Sequence, residues 1–135
     1  MSPILDKYYA CSICSGDFND WIQKNASADD KHSYLFTGEF EMPEWNMGNV
    51  ASYAELASLM TPRPFMVERG HEDGVAPDEW VAAEYSKVRR HYDKLGLEDC
   101  TEIEFFNGPH TIHGVKTYNF LHQHLDWPEI QNNGR

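Results

Sequence analysis

Long apolar runs are missing from this chain: nowhere do its 135 residues approach the roughly 20 consecutive apolar positions that a membrane-spanning helix requires. The opening Met1-Ser-Pro-Ile-Leu-Asp6 lacks the basic segment and apolar stretch of a secretion leader. Cysteine is scarce. Cys11, Cys14 and Cys100 are an odd number and imply no disulfide framework. Together these absences lead to the expectation of a reduced, cytoplasmic setting. Basic residues are also few, with 11 Lys and Arg against 22 Asp and Glu and a formal net charge of −11. An acidic surface repels phosphate backbones and anionic lipid, so neither nucleic acid nor a membrane surface is expected as a partner. The acids are spread along the chain and form no tail, which reads as a solvated surface. No internal repeat is visible.

What is present is enough apolar material for a core. Hydrophobic residues make up 41% and aromatics 13%, a folded composition, and residues 1–135 are read as a single domain. Residues 8–15 (Tyr-Tyr-Ala-Cys-Ser-Ile-Cys-Ser) lack polar alternation and read as a strand covered on both faces. The text of 17–48 is irregular and rich in Asp, Asn, Gly and aromatics, and segments of that length are usually functional or partly mobile. A helix is expected over 49–60, capped by Asn49, with Val50, Tyr53, Ala57 and Met60 inward. A second strand follows at 65–69. Pro77 opens a helix over 78–95, whose apolar face is Val81, Tyr85, Val88, Tyr92 and Leu95. Residues 101–106 form a third strand. The last helix covers 115–125 with Val115, Tyr118, Leu121 and Leu125 inward, closed by Trp127-Pro128, and 131–135 are expected to fray. Alternating strands and helices specify an α/β fold: a short parallel sheet of about three strands inside a three-layer αβα arrangement. Sheets of this architecture commonly have about four to six strands, so part of the fold is expected to be missing.

Parallel sheets place their active groups beyond the C-terminal ends of the strands. Beyond the second strand lies Gly70-His-Glu-Asp-Gly-Val-Ala-Pro77, and beyond the third Asn107-Gly-Pro-His-Thr-Ile-His-Gly114. An acid after one strand and a histidine after the next meet at one edge, as a general base and its orienting carboxylate require. Asp73 and His110 are the candidates. His113 competes with His110, which is preferred because it directly follows the Gly-Pro turn. His71 and Glu72 read as loop-lining groups.

The stretch from Leu56 to Pro77 resembles the acid-bearing segment of α/β-hydrolases, most closely the dienelactone hydrolase and acetyl xylan esterase group. Pro62-Arg-Pro64 leads into the strand and Gly70-His-Glu-Asp73 matches the Gly-x-x-Asp that follows it. Phe105-Phe-Asn-Gly-Pro-His110 resembles the strand and turn carrying the family's histidine, and Tyr118-Asn-Phe-Leu-His-Gln-His-Leu125 its C-terminal helix. The likeness covers about residues 50–128. It implies a partial α/β-hydrolase fold, the C-terminal portion, with Asp73 and His110 in the acid and base positions. It also implies hydrolysis of a small-molecule ester through an acyl-serine intermediate, without a cofactor.

The family's nucleophile, a Ser in Gly-x-Ser-x-Gly, has no counterpart in the sequence. The nearest text is Ala10-Cys-Ser12-Ile-Cys14, whose flanks are not glycine, so the chain is expected to be inactive unless completed. Completed folds pair the first strand with the nucleophile's strand. Residues 8–15 would then leave an uncharged open edge, through which a homo-oligomer is expected. Substrate lining falls to 17–48, including Trp45.

Other constellations read as structural. Cys11-x-x-Cys14 lies within a strand, where residues three apart face opposite sides, and so reads as buried structural cysteines. His110-x-x-His113 and His122-x-His124 lack the spacing of a helical zinc pair, so no metal is expected. Asn25-Ala-Ser27 fits a glycosylation sequon that matters only after secretion. Two rival readings remain: a non-enzymatic binding or oligomerisation module, and a small metal protein using the histidines.

Overall fold

A computed structural model describes residues 8–37 and 47–126. Trp45, Trp127-Pro128 and the segment 131–135 lie outside the described residues. Three strands, β1 (Ser12–Ser15), β2 (Phe65–Gly70) and β3 (Thr101–Phe106), form one sheet in the order β1-β2-β3. Both pairings are parallel, with Ser12 opposite Phe65 and Phe65 opposite Thr101. Four α-helices accompany them: α1 (Trp21–Ala26), α2 (Tyr53–Ser58), α3 (Asp78–Lys94) and α4 (Val115–Leu125). None of the described helices is long and apolar enough to cross a membrane.

Helices α2 and α3 cover one face of the sheet and α4 the other. Successive strand residues point to opposite faces, so Cys14, Phe65, Val67, Ile103 and Phe105 meet α2 and α3. There they pack with Ala54, Ala57, Met60, Val81, Tyr85, Val88 and Tyr92 into the main core. Phe18 joins them, its ring 5.6 Å from Tyr53 and 5.7 Å from Phe65. Toward α4 the apolar layer is thin, consisting chiefly of Met66, Phe106 and Phe120.

Four expectations need correction. The first strand starts at Ser12, not at residue 8, and Tyr8 and Tyr9 are exposed. Ser12 N donates to the carbonyl of Pro64 (3.1 Å), and Pro64, lacking an N–H, cannot carry the ladder further back. The helix expected over 49–60 shrinks to α2. Its N-cap is Ser52, whose amide donates to Glu55 Oε2 (2.8 Å) in a capping box, while Asn49 sits in a separate 3₁₀ turn and Val50 is exposed. In α3 the first four apolar-face residues are buried, but Leu95 lies past the last full turn and is exposed.

The fourth correction concerns α4, whose bounds match while its rotation does not. Thr117 and Phe120 face the sheet, whereas of the expected stripe Val115, Tyr118 and Leu125 are exposed and Leu121 is only partly buried. The Thr117 hydroxyl donates to Glu68 Oε2 (2.6 Å), and this buried polar bond turns the helix away from its apolar stripe. One helix was not anticipated. Asp20 caps α1 by accepting from Ile22 N (2.9 Å) and Gln23 N (3.0 Å).

Candidate active site

Asp73 and His110 meet at the C-terminal edge of the sheet. Asp73 lies just beyond β2 with its side chain buried, and His110 lies beyond β3 with its ring about half exposed. His110 Nδ1 donates to Asp73 Oδ2 at 2.9 Å, which leaves Nε2 as the ring's acceptor. The other carboxylate oxygen, Oδ1, accepts Val75 N (2.9 Å) and closes a tight Asx turn. The two loops are stitched together below the pair: His71 N donates to Phe106 O (2.9 Å) and Glu72 N to Gly108 O (3.0 Å).

Two glycines make this approach possible. A β-carbon on Gly70 would run into the carbonyl oxygens of Gly108 and Pro109, in the loop that carries His110. Gly16, at φ +87°, closes β1 directly beneath the pair. A β-carbon there would lie 2.6 Å from His110 Cε1 and 3.2 Å from Asp73 Oδ2.

Behind Asp73 stands Arg69, on β2 and only 1% exposed. Its Nη1 lies 3.1 Å from Asp73 Oδ2, an ion-pair contact without hydrogen-bond alignment. Nη2 donates to the carbonyls of Asp73 (2.8 Å) and Ala76, and Nε to Asp78 Oδ1 (3.2 Å). One guanidinium therefore braces the acid loop and supplies the opposite charge that a buried carboxylate needs. Lys24 ties residues 17–37 to the same loop, donating to His32 O (2.9 Å) and Val75 O (2.6 Å) with its ammonium 4.6 Å from the Tyr34 ring centroid.

The remaining candidates have other partners. His113 pairs with Glu104 through Nδ1 and Oε1 (2.9 Å), its ring stacked on Phe106 at 4.2 Å. His71 pairs with Asp78 (2.5 Å) and stacks on Phe105, and Glu72 is exposed. Ser12 sits at the end of β1 away from Gly16, its buried hydroxyl without a hydrogen-bond partner. Cys14 is a free thiol that burial and the nearby Asp17 charge push up to about 12, so it is a poor nucleophile. Among the described residues, no group of three or more His, Cys, Asp or Glu side chains could hold a metal ion.

Sequence reasoning missed Glu68, Arg69 and Glu104. A signal for two of them existed, since Glu68 and Arg69 are charged residues within a segment read as a strand of a helix-covered parallel sheet, and all six β2 residues are buried. Glu68 collects four donors: Ser15 Oγ and His113 N (3.3 Å) on Oε1, Thr117 Oγ1 (2.6 Å) and Gly114 N (3.2 Å) on Oε2. Burial pushes its carboxyl up, but these hydrogen bonds outweigh burial and hold it below the usual carboxylate range.

A histidine held this way can take a proton at Nε2 while the carboxylate fixes its tautomer and stabilises the imidazolium. No family model matches the chain, and neither does any curated protein sequence. Solved structures do resemble it. A carbohydrate esterase family 15 glucuronoyl esterase from Caldicellulosiruptor kristjansonii superposes over 93% of this chain and 39% of its own, with a TM-score of 0.61 and 19% identity. An esterase of Pyrococcus furiosus covers 92% of this chain and 48% of its own, with a TM-score of 0.56 and 12% identity. An acylaminoacyl peptidase of Pyrococcus horikoshii covers 91% and 20%, with a TM-score of 0.51 and 17% identity. This chain therefore has an α/β-hydrolase-type fold in part, and it spans less than half the length of each of these structures.

Proposed function

We propose that this chain is the base-bearing part of a serine-type ester hydrolase, with His110 as general base and then general acid and Asp73 as its orienting carboxylate. The observation that carries the reading is the 2.9 Å bond from His110 Nδ1 to buried Asp73 Oδ2, braced by Arg69 from behind. His110 takes the proton of an attacking serine hydroxyl, then returns it to the departing alcohol, and a second cycle with water releases the acid. The substrate is a small-molecule ester, and the reaction requires no cofactor. These 135 residues hold no Gly-x-Ser-x-Gly, so in this reading the serine belongs to the other part of the fold. The anchoring of residues 17–37 to the acid loop through Lys24 supports a place for them beside the substrate.

Co-expression with a nucleophile-bearing portion of an α/β-hydrolase tests this reading. The chain alone should not hydrolyse p-nitrophenyl acetate above background. The complemented pair should, with turnover blocked by a serine-directed phosphonate and lost in His110→Ala. Phosphonate-sensitive turnover by the chain alone would overturn the need for a partner.

A second reading, a binding or oligomerising module, is favoured by a different observation. Strand β1 is an edge of the described sheet, and Ile112, Val115 and Tyr118 are exposed on and before α4. A second copy pairing along β1 would satisfy that edge. Sedimentation across a concentration series decides: a strictly monomeric, folded chain would sink this reading.

A further inference from the structure

The base loop is anchored at a place the dyad itself does not explain. The N-cap of helix α4 is Gly114, which has no side chain to cap the first turn. Caps arrive instead from the sheet beneath. Glu68 Oε2 accepts Gly114 N (3.2 Å) and Glu104 Oε2 accepts Lys116 N (3.2 Å), placing carboxylate charge at the positive end of the helix. Glu68 Oε1 also accepts His113 N (3.3 Å), three residues beyond the base. On its other side the same carboxylate takes the hydroxyl of Ser15, next to Gly16, against which the His110 ring rests. Glu68 O accepts Gly16 N (3.1 Å), so main chain and side chain of one residue hold the floor beneath the ring.

We infer that Glu68 is the positioning residue of the dyad: one buried carboxylate joins the floor at Ser15–Gly16 to the far end of the base loop at His113–Gly114, and so sets where His110 stands relative to Asp73. The role deepens the base assignment above and rests on it for its catalytic meaning. The chemistry fits the task. A carboxylate has about four lone-pair sites and no donor, and here it meets four donors. Glutamine would keep the shape but turn an amide N–H toward groups that themselves donate. Its loss of charge would also remove the anion at the start of α4. Glu68 touches neither His110 nor a reacting atom, so its effect passes through the loop.

The test reads geometry, not turnover. In the intact chain, long-range ¹H–¹⁵N spectra should show His110 as a single tautomer with a hydrogen-bonded Nδ1 proton. In Glu68→Gln that proton signal should be lost to solvent exchange and the ring nitrogens should move toward averaged tautomer shifts. Glu102→Gln alters a half-buried acid of β3 that touches neither loop of the dyad and should leave the signature alone, as should Val88→Ala, which loosens the opposite core. If Glu68→Gln fails to fold, Thr117→Val and Ser15→Ala each remove one donor while keeping the carboxylate, and each should broaden the Nδ1 proton. An unchanged His110 signature in folded Glu68→Gln, or in both donor variants, overturns the assignment. Because no step requires hydrolysis, a missing esterase activity in the complemented pair sinks the proposed function without touching this result.

Discussion

The two faces of the sheet are built from opposite chemistry. Toward α2 and α3, strand residues Phe65, Val67, Ile103 and Phe105 interdigitate with helix side chains, and the contacts are almost all apolar. Toward α4, the central positions are Ser15, Glu68 and Glu104: the two carboxylates bond the base loop and the first turn of the helix, and Ser15 donates to Glu68. Non-directional burial serves the first face, since it needs only volume and area. The second face needs direction. A helix seated on hydrogen-bonded carboxylates has one rotation and one height, and the loop before it carries His110. The difference teaches that stability and site geometry are held here by separate sets of residues.

The largest effect should come from the apolar face. Phe65→Ala empties a buried ring site and should destabilise by about 3–5 kcal/mol in urea unfolding, yet leave the His110–Asp73 pair intact in whatever remains folded. A loss under about 1 kcal/mol would mean that the apolar face is not the main source of stability. Gly16→Ala comes next. Its positive φ should cost about 1–2 kcal/mol, and the new methyl, crowding His110, should displace the ring. An unmoved His110 signature would show that the floor yields more readily than the close approach implies.

Acid should loosen the polar face before the apolar one. Glu68 titrates below its ordinary value of 4.5 in the folded chain, so its contribution is fully present above that value. It is lost as pH falls through the depressed folded value. Amide exchange in α4 should therefore quicken as pH falls below 4.5 while α3 stays protected, and the selective step should vanish in Glu68→Gln. Equal acid sensitivity in both helices would break the comparison. The smallest effect belongs to the rim, where the solvent-accessible pair Lys116 Nζ–Glu102 Oε1 (3.1 Å) joins α4 to β3. Lys116→Ala should change stability by less than about 1 kcal/mol, and added salt should hide the change.

Legibility followed the same division. Strand β3 and helix α3 were readable because periodic apolar residues meet an apolar layer, and the meeting of the Asp73 and His110 loops because strand ends in a parallel sheet define where loops converge. The Ser52-x-x-Glu55 capping box was also written in the sequence, though Asn49 drew the helix start instead. The rotation of α4 was not legible. Its most regular apolar stripe, through Val115, Tyr118 and Leu125, faces outward because a threonine bonded to a buried glutamate decided the orientation.

By itself the sequence determined the alternation of strands and helices, the parallel sheet, the acidic surface and the two loops on which an acid and a histidine stand. All of these follow from local patterns: period, charge count, turn residues and their order. Tertiary structure alone decided that Arg69 stands behind Asp73, that Gly16 lies under the His110 ring, and that Glu68 joins β1 to the start of α4. These contacts bring together residues as far apart as Ser15 and Thr117. A buried charge becomes tolerable only when distant donors converge on it, and nothing in the local sequence records which donors those will be.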